Sequence, residues 1–306
     1  MEIYDLKTMQ RCEIDEPCVV ALGTFDGCHI GHMSIFTETF YSAKRNKMKS
    51  VVYTFDSIPK SHKNSEVRAL TTLNEKIKII KKHGIDYVAI DKFENVRNLS
   101  PKEFFDNILV NTLNAKMALC GFNYRFGNGA LAAPNDLARF FENIGGSVKI
   151  CDKVMLENEV LSSTLVRSLI ENGEVEKTLN YIAPYSIFAR VEYGKALGRR
   201  LGFPTINQKI PDGKVLPKRG VYITECELGE DVYPSITNVG VRPTTDGDYS
   251  ELNMETYIIG YDGNLYGSCV RVNFYKYLRG EIKFDSIDAL TEQISKDATE
   301  AKAYFK

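Results

Sequence analysis

The sequence predicts two domains of different class: a doubly wound parallel α/β sheet over 1–183, then a small antiparallel β-barrel with a C-terminal helix over 184–306. Three observations predict this. From Cys18 to about residue 154, apolar β-branched runs alternate with helix-patterned segments, the order that builds a parallel sheet with helices on its faces. Past Ala183-Pro184 the chain becomes rich in Val, Ile and Tyr, with turn signals at Asp212-Gly213, Asp246-Gly247 and Asp262-Gly263, which is the pattern of antiparallel strands. A length of 306 residues gives each part enough chain for its own core.

Taken in order, Cys18-Val19-Val20-Ala21-Leu22 reads as a buried strand, and 33–44 as the helix that follows its turn. Residues 50–55 read as the second strand. Residues 73–83 read as a helix that Thr72 and Glu75 open as a capping box and Gly84 closes. After a strand at 86–91, Ser100, Pro101 and Glu103 supply an N-cap, a proline at the first helical position and an acidic partner. Phe104, Phe105, Ile108, Leu109 and Leu113 then recur at helical spacing. A strand at 116–120, a helix at 135–144 ended by Gly145-Gly146, and a strand at 147–154 complete the first domain, and 165–181 reads as a short helical piece. In the second domain 185–284 reads as the barrel. Ile287, Leu290, Ile294 and Ala298 place a helix over 285–305, packed on that barrel.

Composition narrows the possible partners. A net charge of −1 gives no electrostatic footprint for nucleic acid or an anionic membrane. No run approaches the ~20 apolar residues of a membrane span, and the first ten residues lack the apolar core of a secretory signal. The seven cysteines are scattered and form no Cys-x-x-Cys pair, which points to a reducing, cytoplasmic setting and away from structural zinc.

The richest segment is Gly23-Thr24-Phe25-Asp26-Gly27-Cys28-His29-Ile30-Gly31-His32, between the first strand and its helix. Glycines let the backbone approach a ligand closely, and the N–H groups at a helix start favour an anion. Two imidazoles three residues apart can flank one phosphate and stabilise charge that builds on it. On their own, His29 and His32 are equally readable as solvated or capping residues; the agreement of strand, glycines, Asp26 and helix favours the phosphate site. Gly121-Phe122-Asn123-Tyr124-Arg125-Phe126-Gly127 lies at a strand end, as ligand contacts do in such sheets, and reads equally as an aromatic-packed loop. Ser162-Ser163-Thr164-Leu165-Val166-Arg167 places hydroxyls before a helix and an arginine one turn in, as a plain cap or as a triphosphate cradle. In the barrel, Gly194, Gly198 and Gly202 space a loop carrying Lys195, Arg199 and Arg200, followed by Pro204-Thr205-Ile206-Asn207. That loop is neither a P-loop nor a dinucleotide fingerprint. Glu255 stands in a strand-like run, where an acidic residue is usually solvent-facing.

The first motif resembles the signature of the HxGH nucleotidylyltransferases, in particular the adenylylating half of bacterial bifunctional riboflavin kinase/FAD synthetases. The segment from Gly194 to Asn207, together with Asn238-Val239-Gly240-Val241-Arg242-Pro243-Thr244, Leu265-Tyr266-Gly267, Leu278-Arg279-Gly280-Glu281 and Glu255, is similar to the riboflavin kinase half. The resemblance covers nearly the whole chain. It implies a Rossmann-like nucleotidylyltransferase domain and a riboflavin kinase barrel that together convert riboflavin to FMN and FMN to FAD, using ATP and Mg2+. It implies that His29, His32 and Arg167 act on the phosphates, that Gly23, Thr24, Phe25, Asp26, Gly31, Asn123, Ser163 and Thr164 bind the nucleotide, and that the three loop glycines cover the second ATP. It further implies Thr205 and Asn207 for Mg2+, Glu255 as the base, and Arg279 on the flavin side. The chain departs from the pattern at Leu165, where a second arginine is usual, and at 128–132, which lacks a basic residue. It also departs at 54–59 and at Tyr257 and Gly260. These departures leave open a riboflavin kinase with a weakened adenylylating half, or a flavin-binding regulator.

Overall fold

The computed structural model describes residues 1–7, 14–59, 67–156, 158–194, 198, 201–241 and 252–306. The Asp246-Gly247 turn, Lys195, Arg199 and Arg200 therefore lie outside the described residues. The chain clusters into two compact units, Met1–Ser163 and Thr164–Lys306.

The first unit is built on a six-stranded parallel sheet in the order β1-β4-β3-β2-β5-β6. The strands are β1 Glu2–Asp5, β2 Cys18–Leu22, β3 Lys49–Phe55, β4 Tyr87–Asp91, β5 Ala115–Gly121 and β6 Ser147–Cys151. All five residues of β2 are buried, as a strand covered on both faces requires. Their alternation feeds two cores. Cys18, Val20 and Leu22 join Tyr53, Phe104, Phe105, Leu109 and Phe141 on one face, while Val19 and Ala21 join Ile35, Phe36, Val52 and Ile80 on the other. The second core belongs to helices α1 (Ile30–Asn46) and α2 (Leu73–Lys82), whose Thr72–Glu75 capping box forms as expected.

Three features differ from the sequence reading. The helix opened by the Ser100 capping box runs as α-helix only through Pro101–Glu103, after the single turn Phe93–Val96 (these are α4 and α3), and continues as a wider-wound π-helical stretch, Phe104–Thr112. There Leu113 N–H donates to Ile108 O five residues back at 3.0 Å. That winding aligns residues five apart, 104 with 109 and 108 with 113, so the five apolar positions share one face. Helix α5 is Pro134–Glu142. Next, β6 stops at Cys151, and a short hairpin of β7 (Met155–Leu156) and β8 (Glu159–Val160) follows. Finally, β1 is an edge strand too short and polar to announce itself.

The second unit begins with helix α6, Ser163–Glu171, of which only Ser163 belongs to the first unit, and a 3-10 turn, Val175–Thr178. The expected 165–181 helix therefore ends at 171, where Gly173 with φ +84° reverses the chain. Six antiparallel strands close a barrel in the order β10-β13-β12-β11-β14-β9. They are β9 Tyr185–Glu192, β10 Thr205–Lys209, β11 Gly220–Leu228, β12 Asp231–Val241, β13 Leu252–Ile258 and β14 Cys269–Arg279. Thr224, Ser235, Thr237 and Thr256 meet inside it and bond one another at 2.8–2.9 Å, which satisfies their buried hydroxyls. Helix α7 (Ile287–Tyr304) packs Ala298 and Ala301 on Val221, Ile223 and Ile236 from outside. Ile287, expected on the packed face, is 62% exposed, because contact with the barrel begins further along the helix near Ile294.

Candidate active sites

In the first unit the strand order reverses between β2 and β5: β3, β4 and β1 lie to one side of β2, and β5 and β6 to the other. Open α/β sheets bind ligands in the crevice at that switch point, beyond the carboxyl ends of the strands. The turn from Gly23 leaves β2 at that edge. Phe25, Gly27 and Cys28 adopt φ of 50°, 77° and 40°, an unusual run of left-handed backbone for which only Gly27 has the natural freedom.

Side chains hold the turn in this shape. The buried Asp26 carboxylate accepts from the N–H of Leu70 at 3.0 Å and of Thr71 at 3.1 Å. Ser163, the last residue of the first unit, donates from Oγ to Asp26 O at 2.8 Å, which spends its hydroxyl proton. Thr164 and Arg167 follow on the same helix, in the second unit. Lys76 of α2 reaches Thr24 O at 2.8 Å. Asn123 is exposed just past the end of β5, the strand beside β2.

His29 occupies the cap position of α1, and its ring stacks on that of His32 with centroids 3.6 Å apart and planes 19° apart. Phe25 meets His32 edge-on at 5.3 Å. A Cβ at Gly31 would stand 3.1 Å from His29 Nδ1, so the glycine makes room for the ring. Burial pushes His29 down to about 4, against the opposing pull of Asp26. It pushes His32 well below the ordinary imidazole value, helped by His29 and Lys76. Both rings are therefore neutral at pH 7, and the Nδ1 of each is buried without a partner. Buried imidazole nitrogens left unpaired are costly, so each ring retains hydrogen-bonding capacity that the protein does not use. Burial raises the Cys28 thiol to about 12, so it is no nucleophile there.

In the barrel, register assembles the second site. Glu192, Asn207, Glu255 and Asn238 stand directly opposite one another across β9, β10, β13 and β12, forming one polar row on the outer face. Glu255 is exposed and Asn207 is buried. Asn253 Nδ2 donates to Asn207 Oδ1 at 3.2 Å, which fixes the amide. A Cβ at Gly194 would overlap the Asn207 amide. One at Gly198 would overlap Phe203 O and stand 3.3 Å from Thr205 Oγ1. Both glycines thus lie against the residues expected to serve the metal, while Gly202, at φ +82°, has open space around it. Gly194→Ala is accordingly expected to displace the Asn207 amide and lower the thermal unfolding midpoint of the second unit, which differential scanning calorimetry of the variant checks.

Arg279 is held by Asp297 of α7, Nη2 to Oδ2 at 2.7 Å and Nε to Oδ2 at 3.1 Å, so its guanidinium is already engaged. The 242–244 part of the Asn238 motif lies outside the described residues. Sequence reasoning missed Glu192 and Asn253, which only strand register brings to Asn207. It also missed Lys76, which looks like any helix-surface lysine.

A two-histidine glycine turn at the switch point of a parallel sheet, in one chain with a polar row on a closed barrel, defines a two-unit protein with a candidate site on each unit. A model of the FAD synthetase family matches residues 11–165, and one of the riboflavin kinase family matches residues 181–305. Bifunctional riboflavin kinase/FMN adenylyltransferases of Listeria monocytogenes and Bacillus subtilis are 31% identical over 292 residues and 32% over 294, each alignment covering 94% of this chain and 92% of the relative. A crystal structure described as a macrolide-efflux protein from Streptococcus pneumoniae superimposes with a TM-score of 0.89 at 29% identity, covering 98% of both chains. No helix among the described residues is long and apolar enough to cross a membrane. The chain belongs to the bifunctional riboflavin kinase/FMN adenylyltransferase family.

Proposed function

We infer that the α/β unit joins FMN to the adenylyl group of ATP, and that the barrel phosphorylates riboflavin. The observation that carries this is the neutral, stacked His29–His32 pair with both Nδ1 atoms unpartnered, in the same chain as the Asn207–Glu255–Asn238 row.

On the first unit, an FMN phosphate oxygen attacks the α-phosphorus of ATP, and the bond to the bridging oxygen breaks to release pyrophosphate. Neutral imidazoles at His29 and His32 donate to the α-phosphoryl oxygens as charge builds there. Gly23, Thr24, Phe25, Asp26 and Gly31 shape the turn, and Asn123 borders the nucleotide. With its hydroxyl spent on Asp26 O, Ser163 serves the β and γ phosphates through its backbone N–H at the helix start; Thr164 and Arg167 add a hydroxyl and a forked cation.

On the barrel, Glu255 takes the proton of the terminal ribityl hydroxyl as that oxygen attacks the γ-phosphorus and ADP leaves. Arg279, anchored by Asp297, borders the flavin through its stem. Thr205 Oγ1 and Asn207 Oδ1 are neutral hard oxygens suited to Mg2+, and the glycines against them leave room for a nucleotide. Among the described residues no group of three or more His, Cys, Asp or Glu could hold a metal, which fits an ion held largely by phosphates and water. When bound, Mg2+ offsets the charge of the transferring phosphates. Both substrates are small molecules, and the cysteine usage supports a cytoplasmic setting.

Incubation with riboflavin, ATP and Mg2+, followed by chromatographic separation of the flavins, is expected to show FMN and then FAD. FMN alone would identify a kinase whose α/β unit is silent, the alternative that Leu165 and the 128–132 loop leave open. Neither product would refute both assignments.

A further inference from the structure

Lys76 is a buried lysine whose three hydrogen bonds all go to neutral oxygens. It is 6% exposed, and its ammonium donates to Thr24 O at 2.8 Å, Thr54 Oγ1 at 3.1 Å and Phe55 O at 3.1 Å. Those three bonds use all three of its protons. Thr54 Oγ1 in turn donates to Thr24 O at 3.0 Å. The three acceptors come from the ends of two neighbouring strands: Thr24 lies just past β2, and Thr54 and Phe55 close β3.

A buried ammonium that hydrogen-bonds only neutral oxygens is costly to bury even with Asp26 and Asp56 acting on it through space, unless its charge has a use. Here it lies under the one turn of the first unit that carries His29 and His32, and both rings are neutral. The phosphates arriving in that crevice bring several negative charges, so the fixed positive charge beneath the turn must come from elsewhere. The same segment of chain secures the turn a second time, through the Leu70 and Thr71 N–H groups on Asp26.

We propose that Lys76 is a positioning residue of the adenylyl-transfer site: its ammonium ties the Thr24 and Phe55 carbonyls together, fixing the strand ends and the His29–His32 turn in the shape that receives the triphosphate, and supplies that turn with buried positive charge. It does not touch substrate, because no proton is left to donate. The proposal rests on adenylyl transfer occurring at this turn.

The test uses the full chain, with FAD formation from FMN and ATP measured over ATP concentration and pH, and riboflavin phosphorylation measured on the same preparations. Lys76→Met is expected to lower kcat/KM for ATP in FAD formation between ten- and a hundredfold, with the kinase rate unchanged. The acid limb of the FAD-forming pH profile should move to higher pH, because a cation that opposes protonation of His32 is gone. Asp26 in the turn, Asp56 after β3, Cys28 and His32 are the other groups facing that ammonium, and all remain in the variant. Lys76→Arg keeps the charge and is expected to hold the acid limb in place. If Lys76→Met does not fold, Thr54→Val, which deletes one of the three acceptors, should reduce FAD formation several-fold and spare the kinase. An unchanged kcat/KM and acid limb in Lys76→Met would overturn the proposal. So would equal loss of both activities in Lys76→Met and Thr54→Val. If the wild-type chain forms FMN but no FAD, the adenylyl-transfer reading itself fails and the positioning role falls with it.

Discussion

His29→Ala is expected to abolish FAD formation while FMN formation continues at the wild-type rate. His29 is neutral, stacked on His32, and placed at the first turn of α1 with Nδ1 unpartnered, so its role is that of a preorganised donor rather than a general base. Loss of one such donor costs about a hundred- to a thousandfold in kcat. Here the loss should be larger, since His32 also loses the ring that holds it parallel. Separate assays with FMN and with riboflavin check the result. Because the barrel is a separate compact unit, its kinase rate reports only on the barrel, and circular dichroism with thermal unfolding of the variant checks that the α/β unit is folded. Parallel loss of both activities in a folded variant would sink the assignment of separate sites.

Glu255→Gln should do the reverse. The side chain keeps its size and loses only its ability to take a proton, a change worth about a hundred- to ten-thousandfold for general-base catalysis. Glu255 is exposed on the outer face of β13, so the amide removes no buried ion pair and the thermal unfolding midpoint should not move. FAD formation from supplied FMN is expected to be unaffected, whereas no FAD should accumulate from riboflavin. A Glu255→Gln protein that still makes FMN at the wild-type rate would remove Glu255 from the chemistry.

The α/β unit was legible because its signals are local. Val19 and Ala21 alternate with Cys18 and Val20 on a strand covered on both sides, and the Thr72 and Ser100 capping boxes mark helix starts within four residues of chain. The His29–His32 turn was legible for the same reason. What escaped depends on partners distant in sequence. Lys76 is buried only because β2 and β3 present carbonyls to it, and nothing within α2 signals that. Asn253 and Glu192 matter through their register with Asn207, which the hydrophobic pattern leaves open. Ile287 fits the helical period, yet the barrel does not reach that far. The spacing of 104, 105, 108, 109 and 113 is compatible with two windings; in the wider one that forms, Phe104 packs against Tyr53 and Phe126.

The four-strand row on the barrel has an evolutionary corollary. Asn253, Glu255 and Tyr257 face outward while Met254, Thr256 and Ile258 face inward, so one residue inserted in the middle of β13 exchanges the two sets beyond it. A carboxylate would then enter the hydroxyl-lined interior and an apolar side chain would stand beside Asn207. A residue added to the turn at Gly229, between β11 and β12, leaves the row untouched. Insertions in the second half are therefore expected to be tolerated at the hairpin tips and not inside the strands that hold the row, whatever those strands' composition.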